Sequence, residues 1–280
     1  MNINTTLRIL FATMLFASCT VAKVAVPDAF SSQAEELRVK GLQGFTFNQS
    51  LNFGPYITGE MKRGWDMSSK WQASQISFRP QDQLLRFFNI QTDNLRQTEK
   101  NKFQFAIRDG KLMADVFAFE TFTERGKVYK SNSIFGEVSQ TNYQHYDFSA
   151  AIVPYNYSHG QPWKLVMQSE YDRRKDTARN LLDLPYASTA YYATDGKDSI
   201  TIHPLYIKNV TTGGGKSTKL LGPPMLSGYE LRIEDGVIAV VDILQPTVWM
   251  YKELDEPTKL VTAAIGAAIL LKRKQEVHNE

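Results

Sequence analysis

KFQFAIRDGKLMADVFAFETF, residues 102–122, is the stretch that decides the fold. Phe103, Phe105 and Ile107 alternate with polar or small neighbours, the period of two expected of a strand with one buried face. Asp109-Gly110 then breaks the run, and Leu112, Val116, Phe117 and Phe119 continue it. Asp-Gly supplies the positive φ that a two-residue type I′ turn requires, so the spacing predicts a β-hairpin.

The device recurs. TAYYATDGKDSITIHPLY (189–206) predicts a turn at Asp195-Gly196, and GYELRIEDGVIAVVDIL (228–244) one at Asp235-Gly236. In the last, Tyr229, Leu231 and Ile233 share a face. The return strand from Val237 to Leu244 is apolar on both faces except at Asp242, the mark of a strand covered on both sides. GFTFNQSLNFG (44–54), ASQISFRP (73–80), HYDFSAAIVPYNY (145–157) and WKLVMQSEY (163–171) are further strand candidates. The three hairpins are unequally spaced, which speaks for an antiparallel sheet and against a repeat array.

The C-terminus changes character. Asp255-Glu256-Pro257 precedes TKLVTAAIGAAILLKRKQ. Acid and proline at the start with Lys and Arg at the end match helix termini. Leu260–Leu271 is apolar or small almost all round, but twelve residues reach only about 18 Å, short of a bilayer core of roughly 30 Å. A buried helix is therefore expected, with Ala263, Ala264, Gly266, Ala267 and Ala268 letting its backbone lie close to a sheet. An interfacial helix, with Lys272–Lys274 at lipid headgroups, is the alternative. The expected fold is α+β with β dominant: an antiparallel β sandwich or partly open barrel with the C-terminal helix packed on the sheet.

The totals agree. The chain has 280 residues, 42% of them hydrophobic and 12% aromatic. Aromatics favour strands and sheet cores. A net charge of +3 gives no ground for nucleic-acid binding. Arg173-Arg174-Lys175 and Lys272-Arg273-Lys274 sit beside acidic residues and read as solvated surface. A single cysteine excludes an intramolecular disulfide and a cysteine-based metal site.

Sites that invite a chemical reading fail on inspection. TTGGGKST (211–218) lacks the first glycine of a phosphate loop, because Val210 stands there, and Gly222-Pro223-Pro224 follows too soon for a helix. It reads as a hairpin or inter-strand loop, with no nucleotide. His145, His159, His203 and His278 have no metal-binding spacing. Asp147 shares a strand face with His145, but no nucleophile elbow accompanies them. Glu120, Asp147 and Glu170 are unpaired carboxylates as far as the sequence goes. Tyr155, Tyr157, Trp163, Tyr191 and Tyr192 read as sheet core before they read as a sugar or lipid site. No catalytic, cofactor-binding or metal-binding residue is assigned; the sequence favours a non-enzymatic role and leaves a hydrolase as the remote alternative.

The N-terminus carries one specific signal. Arg8 and the α-amino group precede Ile9–Ala17, a short apolar run of export-signal type, and then come Ala17, Ser18 and Cys19. LFASC resembles the lipobox of bacterial lipoproteins. Ala17 and Ser18 match the small residues that family places before its cysteine. Phe16 departs from the commoner leucine. The resemblance covers only about the first twenty residues. It implies that residues 1–18 are a signal peptide and that Cys19 becomes the acylated first residue. Loss of Arg8 takes the formal charge from +3 to +2. Thr20, where an aspartate commonly retains a lipoprotein at the inner membrane, implies the outer membrane, facing the periplasm. The competing reading is an ordinary secretory signal cut after Ala22.

Residues 19–36 are then the lipidated N-terminus and a tether, with a short helix expected within 30–40, and 37–280 a single β-rich domain. The function expected is that of a membrane-anchored envelope lipoprotein with a non-enzymatic structural, assembly or binding role. The alternative is a periplasmic carrier or chaperone of a lipid or other apolar ligand. The partners expected are the membrane, through the acyl chains, and an envelope protein or apolar ligand, without cofactor, nucleotide or nucleic acid.

Overall fold

A computed structural model of the chain describes residues 24, 26–42, 49–64, 98–130, 137–155, 161–175, 187–211, 217–220, 222–234 and 236–272. Cys19 and the strand candidate at 73–80 lie outside them.

The described residues open with a one-turn helix, α1 (Asp28–Ser31), and four short strands: β1 (Ala34–Arg38), β2 (Asn52–Phe53), β3 (Tyr56–Thr58) and β4 (Lys62–Arg63). Long strands follow: β5 (Thr98–Arg108), β6 (Met113–Lys130), β7 (Glu137–Tyr155), β8 (Trp163–Asp172), β9 (Ala187–Thr194) and β10 (Ser199–Ile207). A two-stranded hairpin, β11 (Asn209–Thr211) and β12 (Ser217–Lys219), leads to β13 (Met225–Ile233), β14 (Gly236–Asp242) and β15 (Thr247–Tyr251). The last element of the described residues is helix α2 (Glu256–Leu271).

Thirteen of the strands form one sheet in the order β1-β15-β14-β13-β10-β9-β8-β7-β6-β5-β3-β2, with β4 on β5. Every pairing is antiparallel. Its two ends meet, because Lys40, just past β1, exchanges backbone hydrogen bonds with Asn52 of β2 at 2.9 and 3.1 Å. The sheet is thus a nearly closed barrel, the β-dominant antiparallel fold with one C-terminal helix that the sequence pattern predicts. Closure also leaves fewer unpaired strand edges.

The helix lies within this wall. It packs on β5, β6 and β7 and also on β14 and β15, which stand across the ring. Leu260–Leu271 is buried on every side, so α2 fills the interior and is not an interfacial helix. Asp255 caps it by accepting from the Thr258 amide at 3.0 Å, with Pro257 in its first turn. A helix inside a barrel leaves little room, and the sequence answers with small residues on both surfaces. Ala263, Ala264, Ala267 and Ala268 of the helix meet a wall whose inner face includes Ala114, Ala118, Ala150, Ala193 and Ala239. At Gly266 a Cβ would stand 3.1 Å from Val248 Cγ2 and 3.6 Å from Val241 Cγ2.

The hairpins form where predicted, but their turns differ from the expected type. Asp109-Gly110-Lys111-Leu112 and Asp195-Gly196-Lys197-Asp198 are both four-residue loops. In each the aspartate Oδ1 accepts two amides, from Lys111 and Leu112 and from Lys197 and Asp198, at 2.7–2.9 Å. Each glycine takes the left-handed backbone, at φ 96° and 92°. The aspartate acts as an internal cap, an Asx turn, so one Asp-Gly-Lys sequence builds the same turn twice. In the third hairpin Ile233 pairs Gly236, with Glu234 at φ 51° and the glycine already in the strand.

The helix expected within 30–40 is replaced by α1 and β1. Pro27 accepts the amides of Phe30 and Ser31, and the helix stops there. Ala34–Arg38 then pairs with β15, whose free edge would otherwise lie open. From Val24 onward this segment packs on the outer surface: Val24, Phe30 and Ala34 are buried with Val240, against Leu205, Val237 and Trp249. That gives β14 its second cover, with Ala239 and Val241 facing the helix and Val240 facing the N-terminal segment.

Candidate functional site

Among the described residues, a cluster of polar side chains inside the barrel lies where α2 ends. Lys272 is the C-cap residue, and its amide donates to the Ala268 carbonyl at 3.2 Å. Its side chain runs into the interior, leaving the residue 4% exposed. The ammonium Nζ donates to the Tyr229 hydroxyl at 2.7 Å and stands 5.4 Å from the centre of the Tyr146 ring. It is 4.6 Å from the Tyr229 ring centre as well, but with Nζ at the hydroxyl end of that ring the hydrogen bond is the main contact there. A cation at a helix C-terminus is favoured by the partial negative charge of the last carbonyls.

Tyr146, on β7, continues the chain of contacts. Its hydroxyl donates to Glu120 Oε1 at 3.1 Å, and Asn101 Nδ2 donates to Glu120 Oε2 at 2.9 Å. Arg63 reaches Asn101 Oδ1 at 3.4 Å and places its guanidinium 5.7 Å from the Phe103 ring. Tyr191 meets Tyr229 edge-on, with centroids 6.2 Å apart. Strands β4, β5, β6, β7, β9 and β13 and the helix end thus each give one or more side chains to one buried cluster. Burial, then the charge of Glu120 and its hydrogen bond, push the Tyr146 hydroxyl well above the usual phenol range. At neutral pH it is a fixed donor and not a base.

The arrangement binds charge to charge through tyrosines and holds the helix end to the wall. An unpaired ammonium or carboxylate inside a barrel is costly, whereas a hydrogen-bonded set fixes one seating of the helix. Among the described residues no group of three or more His, Cys, Asp or Glu is placed to hold a metal ion. No described helix is long and apolar enough to cross a membrane.

Residues singled out from the sequence scatter. Glu120 faces inward, whereas Asp147 and Glu170 face outward, Glu170 toward Lys175 at 3.6 Å. Asp147 accepts from Ser149 Oγ at 3.1 Å. His145 stacks near-parallel on Tyr143, and its Nδ1 has no hydrogen-bond partner among the described residues. Tyr191 is core; Tyr192 and Trp163 are half-buried, and Tyr155 is half-buried with its hydroxyl on Asp115. Cys19, Tyr157, His159 and His278 lie outside the described residues. Residues 209–219, which lack the phosphate-loop glycine, carry the β11–β12 hairpin.

Lys272 is the correction. Read as solvated surface charge, it is instead a buried part of the core. The available signal is its position as the first residue after twelve buried ones, where the helix is still enclosed. Nothing in the sequence marks its partner Tyr229, 43 residues away.

Compared with known proteins, the chain matches no protein-family model, no curated protein and no solved structure.

Proposed function

We propose that the chain is a bacterial envelope lipoprotein, anchored through acyl chains on Cys19 and serving a non-enzymatic structural, assembly or binding role at the periplasmic face of the outer membrane. The observation that carries this is LFASC: a short apolar run, two small residues and the one cysteine of the chain, at residue 19. A mature protein that begins at a diacylated or triacylated cysteine needs no spanning helix, because two or more acyl chains already make a stable tether.

The helix packed inside the barrel supports a structural or binding role over a carrier. A carrier of an apolar ligand needs an apolar space to receive it. Here twelve helix residues and the inner faces of the strands take that space.

The test is cell fractionation of the wild type and Cys19→Ala, with mass analysis of the N-terminus. The wild type is expected in the membrane fraction with Cys19 first and acylated. Cys19→Ala is expected to lose that modification and the mature membrane-bound form. A soluble wild type beginning at residue 23 would sink the proposal.

A further inference from the structure

We infer that the barrel meets the lipid surface end-on, with the end that carries Met225, the β11–β12 hairpin and the 243–246 turn. The inference rests on acylation of Cys19 and adds a direction to it. What sets the direction is where the chain first binds its own barrel. The Val24 amide donates to Asp242 Oδ2 at 3.3 Å, and the Val24 side chain is buried. Its Cγ2 lies 3.2 Å from the point a Cβ on Gly228 would occupy, so the missing side chain at Gly228 makes room for it. Asp242 is held in turn, its Oδ1 accepting the Leu244 and Gln245 amides at 2.8 and 2.9 Å. The docking point is therefore built into the wall.

Four residues separate Cys19 from Val24. Five steps of extended chain reach at most about 18 Å, so Val24 lies within that distance of the acylated residue. Val24 docks where β14 ends and beside Gly228 near the start of β13. The segment then runs along the outer wall to Ala34, which pairs with Tyr251 at the opposite end of β15. The turns at 109–112 and 195–198 belong to that opposite end. Ser199 alone is six residues along β10 from Leu205, the partner of Gly228, or roughly 20 Å. The leash delivers the Gly228 end to the bilayer and leaves the two Asp-Gly-Lys turns away from it.

The exposed chemistry of the near end suits a lipid surface. Met225 is 37% exposed, and Lys208 and Lys219, at the base of the hairpin, are exposed and suited to anionic headgroups. The far end has an apolar pair of its own, Ile57 and Met113, across Arg108. It is therefore the natural competitor, and the two ends make opposite predictions.

The acylated full-length protein is placed in vesicles of phosphatidylethanolamine and phosphatidylglycerol. With Cys19 acylated, Met225→Cys or Met113→Cys supplies a free thiol for an environment-sensitive fluorophore. These sites match in residue type and exposure, 37% and 38%. Brominated lipid is expected to quench the label at 225 several-fold more than at 113, with a blue shift at 225 alone. Equal quenching, or stronger quenching at 113, overturns the inference. Inserting about forty Gly and Ser residues after Thr20 adds a mean reach of roughly 35 Å, past the roughly 20 Å between the two ends. It should keep the protein on the vesicles while removing the difference. A difference that survives the spacer overturns the role of the leash. Vesicle flotation and the N-terminal mass are read on the same sample. Protein that floats with acylated Cys19 but shows no preference defeats the orientation alone. Protein that neither floats nor carries acyl chains defeats the lipoprotein reading and this inference with it.

Discussion

Replacing Gly266 with valine should show whether the helix lies inside the wall. Gly266 faces β14 and β15, and a single Cβ there would already stand 3.1 Å from Val248 Cγ2. Valine adds that carbon and two more. Neither side can move away easily, because the helix is buried all round and Val248 sits in a strand paired on both edges. Overpacking of this kind costs about 1–3 kcal/mol, against about 1 kcal/mol gained by removing a helical glycine. A net loss of about 1–2 kcal/mol is expected for Gly266→Val. Val248→Ala removes the two methyl-type carbons that crowd the site and by itself should cost about 2 kcal/mol, from lost burial and the cavity left behind. Combined, the added carbons fill the space the removed ones leave. The double variant should then be more stable than the sum of the two losses by about 1 kcal/mol or more, the size of coupling expected for residues in contact. Urea unfolding, with the slope checked for constancy across the four proteins, measures it. Strictly additive losses would mean that Gly266 and Val248 do not touch, and the helix would not be seated as described.

Two further outcomes follow from buried polar groups. Tyr146 keeps its proton in the fold to a pH well above the ordinary phenol value of about 10, chiefly through burial and Glu120. Its share of stability is therefore fully present below pH 10 and is lost as pH rises above that value, where the unfolded chain releases the proton and the native one does not. Over that window the wild type should lose about 1.4 kcal/mol more per pH unit than Tyr146→Phe; parallel curves would refute it. Thr262 is fully buried in α2 and its Oγ1 has no hydrogen-bond partner among the described residues, so Thr262→Val, equal in shape, should raise stability by about 1 kcal/mol in thermal or urea unfolding. A destabilised Thr262→Val would mean that the hydroxyl has a partner.

What the sequence made legible follows from what is local. Strand periodicity, the Asp-Gly-Lys turns and the capped apolar helix are set within a dozen residues, and the structure has them. The turn type was not legible, because it depends on whether the aspartate side chain folds back onto the next amides or the backbone closes a two-residue loop. The inward face of β6 was not legible either. Aromatic residues suggested a core, yet Ala114, Val116 and Ala118 face inward, while Phe119, though buried, is on the opposite face of the strand with the Lys102 ammonium 5.7 Å from its ring. Only the presence of a helix in the lumen explains why the small side chains belong inside. The fate of 30–40 was equally hidden, since a five-residue strand at a sheet edge is decided by the edge it covers.

Asp242 and Lys272 are one lesson seen from two sides. Each is a charged residue in or beside a long apolar run; Lys272 reads as the point where that run meets water, and Asp242 as the one polar residue of a strand covered on both sides. Both are buried, at 4% exposure. Asp242 faces outward, but the N-terminal segment lies over it, and its carboxylate accepts from Val24 and from the turn that follows. Lys272 ends the helix, but the barrel continues around it, and its ammonium is taken up by Tyr229 and Tyr146. Burial of either charge is tolerable only because a distant part of the chain brings partners to it: Val24 is 218 residues from Asp242, and Tyr229 is 43 from Lys272. Each group therefore reports on one long-range contact. The first holds the start of the domain to the outer wall, and the second holds its last helix within. Without the docked N-terminal segment Asp242 would be solvated, and without the enclosing barrel Lys272 would be solvated, as a reading of the sequence alone has Lys272.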